Sequence, residues 1–315
     1  MEGLKKFLKI IFIIILLIVL FFIAIYARIY ISYRINQSDY IDSIATQGNV
    51  GEYVPQGLEY SAKYNIAMQT SYNANHEVSM LYITDMESGK LLKSLKLMKE
   101  VDTPNTNHVG GITTNDDKVW ITNDYEISEY SLEEIFTTTN NSIKSIKTSE
   151  LPNRGDFCKY KNTTLYIGDF YLKPFYPVPD DNPLLMAYDV KEDINYKEPK
   201  YIMSLPKMVQ GMEITKENEF IFTESFTYLI KSKMEVYSSP LNARADKYTL
   251  NGKEYPYYIF GKTNLRKTIK LPPMAEGLFY KDSSLYILFE SSSDKYKMAF
   301  PKMPNIIKYE SSHWK

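Results

Sequence analysis

Residues 108–125 read HVGGITTNDDKVWITNDY. A short strand-like run follows the glycine pair, then a polar turn, then a second apolar run that ends on Asp124. Short β-branched and aromatic runs bounded by Asn and Asp are a hairpin pattern, not a helical one. Four more stretches line up with it: VPQGLEYSAKYNIAMQTSY (54–72), NRGDFCKYKNTTLYIGDF (153–170), VQGMEITKENEFIFTESF (209–226) and MAEGLFYKDSSLYILFESS (274–292). Their common anchors are Gly57, Gly111, Asp156, Gly211 and Gly277. The spacing is irregular but close to the roughly 40–50 residues of a four-stranded propeller blade.

The segments between these units repeat as well. VSMLYITDMESGKLLKSLKL, EISEYSLEEI with SIKTSELP, and LLMAYDVKEDINYKEPKYIMSLP each supply an outer pair of strands. Two of these end in Leu-Pro, as does RKTIKLPP. Proline suits a strand end, where no ladder donor is lost. Four strands repeated in this way predict an all-β fold, a β-propeller. Five blades account for the series. Residues 240–262 are read as a hairpin inserted in blade four, with Asn251-Gly252 as its turn, and a sixth blade there is the alternative. After the fifth unit only NIIKYE, 305–310, is left as a strand, and YIDSIATQG, 40–48, precedes the first blade. The expectation is that 40–48 completes the last blade, closing the ring and removing open sheet edges.

The chain begins differently. IIFIIILLIVLFFIAIYA, residues 10–27, contains no charge. At ~1.5 Å per residue it spans roughly 27 Å, near the hydrocarbon thickness of a bilayer. Lys5, Lys6 and Lys9 precede it and predict that residues 1–9 are cytoplasmic and that the remainder is exported. AIYA at 24–27 matches a signal-peptidase site poorly, so an uncleaved single-pass anchor is expected. RIYISYRINQSD, 28–39, reads as a stalk, and 40–315 as a propeller domain on the outer side of the cell membrane.

A net charge of -1 provides no basic field for nucleic acid. The 28 tyrosines suit half-buried strands. Cys158 is the single cysteine, which excludes an intrachain disulfide framework and a cysteine zinc cluster.

In a propeller the first strand of each blade lines the channel, and two sets of loops open on one face. This places Gln56, His108, Arg154, Gln210 and Glu276 at first-strand starts. It places His76, Asp124, Asp169, Glu224 and Glu290 at or just past second-strand ends. These polar side chains are expected to converge on one mouth, the default ligand site. No catalytic residue is assigned. His108 has two readings. It is either a corner residue, with Gly110 and Gly111 making a turn only glycine tolerates, or a ligand or base. Corresponding slots hold Gln, Arg or Glu, so the position wants a polar group rather than histidine chemistry. His313 is expected in a frayed C-terminal tail. Oxygen donors near the axis would suit Ca²⁺ or another divalent metal, with His108 and Glu276 as first candidates. No HExxH, EF-hand loop, GxSxG, GxGxxG or GxxxxGK[ST] motif occurs. Glu59 and Glu213 sit two residues past Gly57 and Gly211, on one side of the innermost strands, where buried acids need partners. FYLKPFYPVPDDNP, 170–183, is a loop on the binding face whose rings either stack on a ligand or fold onto the blade.

PQG at 55–57, HVGGI at 108–112 and QGMEI at 210–214 resemble blade starts of exported, low-cysteine propellers of Firmicutes, within the YncE-like and NHL-like set. The resemblance covers residues 40–310 and implies a propeller on the cell surface. AEG at 275–277 is similar to the Glu-Gly of calcium-binding propellers of the gluconolactonase type. Two functions follow as expectations. One is a binding or scaffold module for an envelope glycan, a peptide or a membrane protein. The other is a metal-dependent, lactonase-like hydrolase at the channel mouth.

Overall fold

Each of the five repeated units folds as an antiparallel meander of four strands in the computed structural model, which describes residues 2–36, 40–49, 51–115, 117–191 and 193–314. The innermost strands are Tyr53–Ser61, Gly111–Thr114, Phe157–Lys161, Val209–Ile214 and Ala275–Lys281. Second strands such as Ile66–Asn73 and Ser284–Phe289 are buried along their whole length, because a blade packs on both of their faces. The outer strand Leu265–Leu271 alternates exposed and half-buried residues instead. The core is divided into five, one part between each pair of neighbouring blades. Met68 and Ile83 of blade one meet Ile112 and Ile121 of blade two in this way.

The ring closes as the sequence predicts. Tyr40–Ala45 pairs antiparallel with Asn305–Glu310, Ile41 opposite Lys308, as the fourth strand of blade five. Ile44 is buried between blades five and one with Leu58, Phe279 and Ile306.

Five local readings change. In blade three the slot of the anchor glycine holds Phe157, not Asp156. Phe157 pairs with Gly168, as Gly111 pairs with Thr122 and Gly211 with Thr223. The glycine has moved across the hairpin, and a Cβ on Gly168 would lie 2.2 Å from the Phe157 ring. The hairpin Asp246–Leu250 and Lys253–Tyr258 forms, turning on Asn251 and Gly252 with φ of 51° and 79°. It joins blade three, however, with Ile202 paired in parallel to Tyr257. Ser142–Lys144 of blade two likewise joins the outer strand of blade one, Ile143 beside Leu97. Both additions cover a sheet edge that would otherwise offer unpaired backbone groups. Leu132–Thr137, expected within a strand pair, is a helical turn capped by the Ser131 hydroxyl. The C-terminal tail ends in another, Ser311–Trp314, with Trp314 wholly buried.

The N-terminal helix runs Glu2–Asn36 and is long and apolar enough to cross a membrane. Residues 28–36 of the expected stalk therefore continue the helix, and 37–39 lie outside the described residues.

Candidate functional site at the channel mouth

Loops from all five blades enclose a cavity of about 300 Å³ at one end of the channel. Gln56, His76, His108, Asp124, Arg154, Gln210, Glu276 and Glu290 all line it. Asp169 and Glu224 do not. Asp169 turns inward and accepts hydrogen bonds from the backbone N–H groups of Arg154 (2.9 Å) and Leu184 (3.2 Å). Burial, with the charge of Asp156 next, pushes its carboxyl up to about 7. It serves as an internal brace for two loops. Glu224 lies opposite Lys233 on the neighbouring strand and pairs with its ammonium at 2.8 Å. Burial, then the adjacent Glu235, pushes Glu224 up to about 8. Their sequence positions were right, but side-chain direction was set by nearby donors that the repeat does not reveal.

One wall of the cavity is a buried acid pair. Glu276 is 2% exposed and Glu290 7%. Burial, reinforced by the charge of Glu290 and a hydrogen bond to it, raises Glu276 well above the usual carboxylate range. Burial also raises Glu290, to about 7, against hydrogen bonds from Tyr296 and Gln56 and the charge of Lys295. Gln56 Nε2 donates to Glu290 Oε2 at 3.0 Å. At neutral pH the pair therefore keeps at least one proton. Next to it, Lys295 Nζ donates to the Tyr72 hydroxyl at 2.6 Å. The His108 ring stacks on Tyr72 with centroids 4.4 Å apart.

The opposite wall is built on Arg154. Its guanidinium bonds Asp156 and Asp124, each at 3.1 Å, and lies 5.7 Å over the Tyr176 ring. The RGD letters at 154–156 thus form an internal ion pair. Tyr176 meets Phe170 edge to face at 5.2 Å. The rings of the 170–183 loop divide between the two directions. Tyr171 and Val178 fold inward, while Phe170 and Tyr176 reach the cavity. Tyr72, Phe226, Lys295 and Tyr296 also line the cavity and were not read from the sequence. Phe226 and Tyr72 close repeat units, Tyr72 inside its second strand and Phe226 two residues past the end of its own, a signal only in retrospect. Lys295 and Tyr296 sit in the non-repeating part of blade five.

HVGGI is both a corner and a cavity wall. His108 is an exposed side chain facing the cavity, and desolvation against the wall lowers its imidazole from the ordinary value. Asp124 opposes that fall, and Lys295 and Arg154 add to it. The ring is neutral at pH 7. Positive φ falls on Val109 (48°), and on neither glycine, which corrects the expected glycine turn. The glycines are needed for close approach. A Cβ on Gly110 would lie 2.3 Å from the Asp156 carbonyl oxygen, and one on Gly111 2.7 Å from the Cys158 nitrogen. Blade two therefore seats directly against blade three.

His108 and Glu276 were the candidate metal donors. Among the described residues no three His, Cys, Asp or Glu side chains gather as a metal site requires.

Fold and site together define a five-bladed β-propeller with a polar, aromatic-walled cavity at its mouth. No protein-family model and no curated protein sequence matches the chain. The solved structures that resemble it include β-propeller proteins. Myxococcus xanthus glutaminyl cyclase is 9% identical, with TM-score 0.49, over 85% of this chain and 94% of that one. The PQQ-bound aldose sugar dehydrogenase of Streptomyces coelicolor is 12% identical, with TM-score 0.47, over 85% and 96%. Kuenenia stuttgartiensis hydrazine synthase is 8% identical, with TM-score 0.40, and this chain spans 58% of its length. At these identities the likeness is one of fold alone.

Proposed function

We propose that the chain is a single-pass, membrane-anchored binding module that presents the mouth cavity outside the cell to a hydroxyl-rich ligand, an envelope glycan. The resemblance to exported YncE-like propellers and the lysines ahead of the apolar helix support that side of the membrane. The observation that carries the reading is the chemistry of the wall. The acids keep a proton between them, Lys295 stands beside the remaining charge, Arg154 is already paired, and His108 is neutral, so the wall offers hydrogen bonds with its charges largely offset. Tyr176, 41% exposed, adds aromatic surface beside them. Aromatic bodies with convergent polar groups suit a neutral ligand that has both hydroxyls and C–H faces. Isothermal titration of the full chain in micelles with envelope oligosaccharides tests it. Tyr176→Ala and His108→Asn should each weaken binding about tenfold, a loss of ~1.4 kcal/mol, with the melting temperature held. Absence of saturable binding would sink the glycan reading.

One observation favours a second reading. Glu290 titrates near neutrality beside Glu276, as a general acid-base pair must. A hydrolase of this kind would turn over a chromogenic lactone or glycoside and lose that activity in Glu276→Gln.

A further inference from the structure

The helix meets the propeller on the mouth face. The Tyr26 hydroxyl donates to the Met298 carbonyl at 2.8 Å. The Phe300 ring packs against Tyr26 at 6.5 Å and Tyr30 at 5.8 Å. Met298 and Phe300 belong to the connection between the second and third strands of blade five, which opens on the mouth side. Further along, Ile29 is 3% exposed, and Ser32 and Tyr33 line a crevice with Leu271, Pro272 and Pro273. Those residues lead into the first strand of blade five, again on the mouth side.

Contact begins inside the apolar run itself. Phe300 shares a groove with Val19, Phe22 and Ile23. A run of 18 apolar residues is only about as long as the hydrocarbon layer is thick. If the helix spans the bilayer, the blade-five loop therefore reaches the outer part of the membrane, with no spacer. The loop tips match that position. Phe175, Tyr176, Phe226, Ile230, Met298 and Phe300 are all exposed, Phe175 to 68% and Met298 to 67%. All six lie on the same set of loops, in blades three, four and five. Phe175 and Phe226 stack on each other at 6.0 Å. The opposite face turns on Asn65, Asn162, Asn218 and Asp282. Exposed Leu91, Leu92, Ile146 and Ile259 are scattered over outer strands and their connections. Clustered apolar tips beside cations are the signature of an interfacial surface. Arg28 and Lys270 lie close enough to Lys231 for their charges to bear on it, and anionic lipid phosphates complement such a group.

We propose that the mouth face rests on the bilayer that holds the helix, with its apolar loop tips in the headgroup layer and the cavity opening towards lipid. The surface stands on its own. Taken with the binding reading above, it makes the ligand one that arrives at the membrane surface, as a headgroup or a lipid-linked glycan.

The test uses the full chain in nanodiscs of phosphatidylcholine and phosphatidylglycerol carrying a shallow nitroxide-labelled lipid. Trp120 and Trp314 are both buried, and the native chain supplies their background emission. Phe175→Trp and Phe226→Trp add a reporter at exposed tips, and Lys216→Trp adds one on the opposite face. The expected result is loss of most of the added emission from the first two and none from the third. Equal quenching of all three, or none at the tips in chains whose melts are native, overturns the proposal. No cavity ligand is present, so failure of the glycan titration and failure of this contact are read separately.

Discussion

Lys159 Nζ lies 2.8 Å from Glu59 Oε2, joining the innermost strands of blades three and one across the centre of the ring. Glu213 of blade four reaches the same ammonium at 2.8 Å, and the Thr113 hydroxyl of blade two donates to Glu59 at 2.9 Å. Four blades are thus tied at one buried point.

Removing only the cation leaves two buried carboxylates facing each other. Lys159→Met should lower stability by about 3–5 kcal/mol in urea unfolding. Adding Glu59→Gln and Glu213→Gln to it should recover most of that loss. A Lys159→Met chain as stable as the native one would show that the channel centre is hydrated.

Ring closure depends on Ile44 as well as on backbone pairing. The side chain is 7% exposed in the core between blades five and one. Ile44→Ala should cost about 2–4 kcal/mol. At ~2–4 °C per kcal/mol for a domain of this size, the melt should fall by several degrees. An unchanged, single transition would mean that the outer strand of blade five contributes nothing to closure.

The acid pair makes stability fall with rising pH. Unfolded carboxyls ionise from about 4.5, while burial keeps Glu290 protonated to about 7 and Glu276 beyond its usual range. The native state therefore loses ground as pH climbs from about 4.5 to 7 and further for Glu276. Glu276→Gln should be near neutral at pH 4 and stabilising at pH 8. Thermal melts at the two pH values read the difference directly, and equal shifts at both would refute the shared proton.

Cys158 is buried, and burial pushes its thiol up to about 12. Thiolate is the reactive form. A disulfide reagent at pH 8 should leave the native chain unlabelled and label it fully in urea. Rapid native labelling would reveal local opening between blades two and three.

Most of the architecture was legible because its determinants are local. A strand pair needs alternating or fully apolar runs and a turn, and both are written in consecutive residues. The same holds for the Asn251-Gly252 turn and for YIDSIATQG, which had no strand partner until the last blade was counted. The cavity wall was legible to the extent that it follows the repeat, as at Gln56, His108, Arg154, Gln210 and Glu276. It failed where a side chain answers to a neighbour far along the chain. Asp169 bonds the backbone of Leu184, and Glu224 chooses Lys233. Phe157 took the anchor slot because Gly168 across the hairpin left room for its ring.

The linear order of residues was therefore enough for most strands and turns, the propeller repeat, the closing strand and an apolar helix, since each follows from periodicity and backbone preference within a few residues. It was not enough for the partner of Glu59 and Glu213, the docking of residues 246–258 on blade three, or the meeting of the helix with the mouth face. Those contacts join segments far apart in the chain. They are decided by volume and charge complementarity, which exist only once the blades are packed side by side.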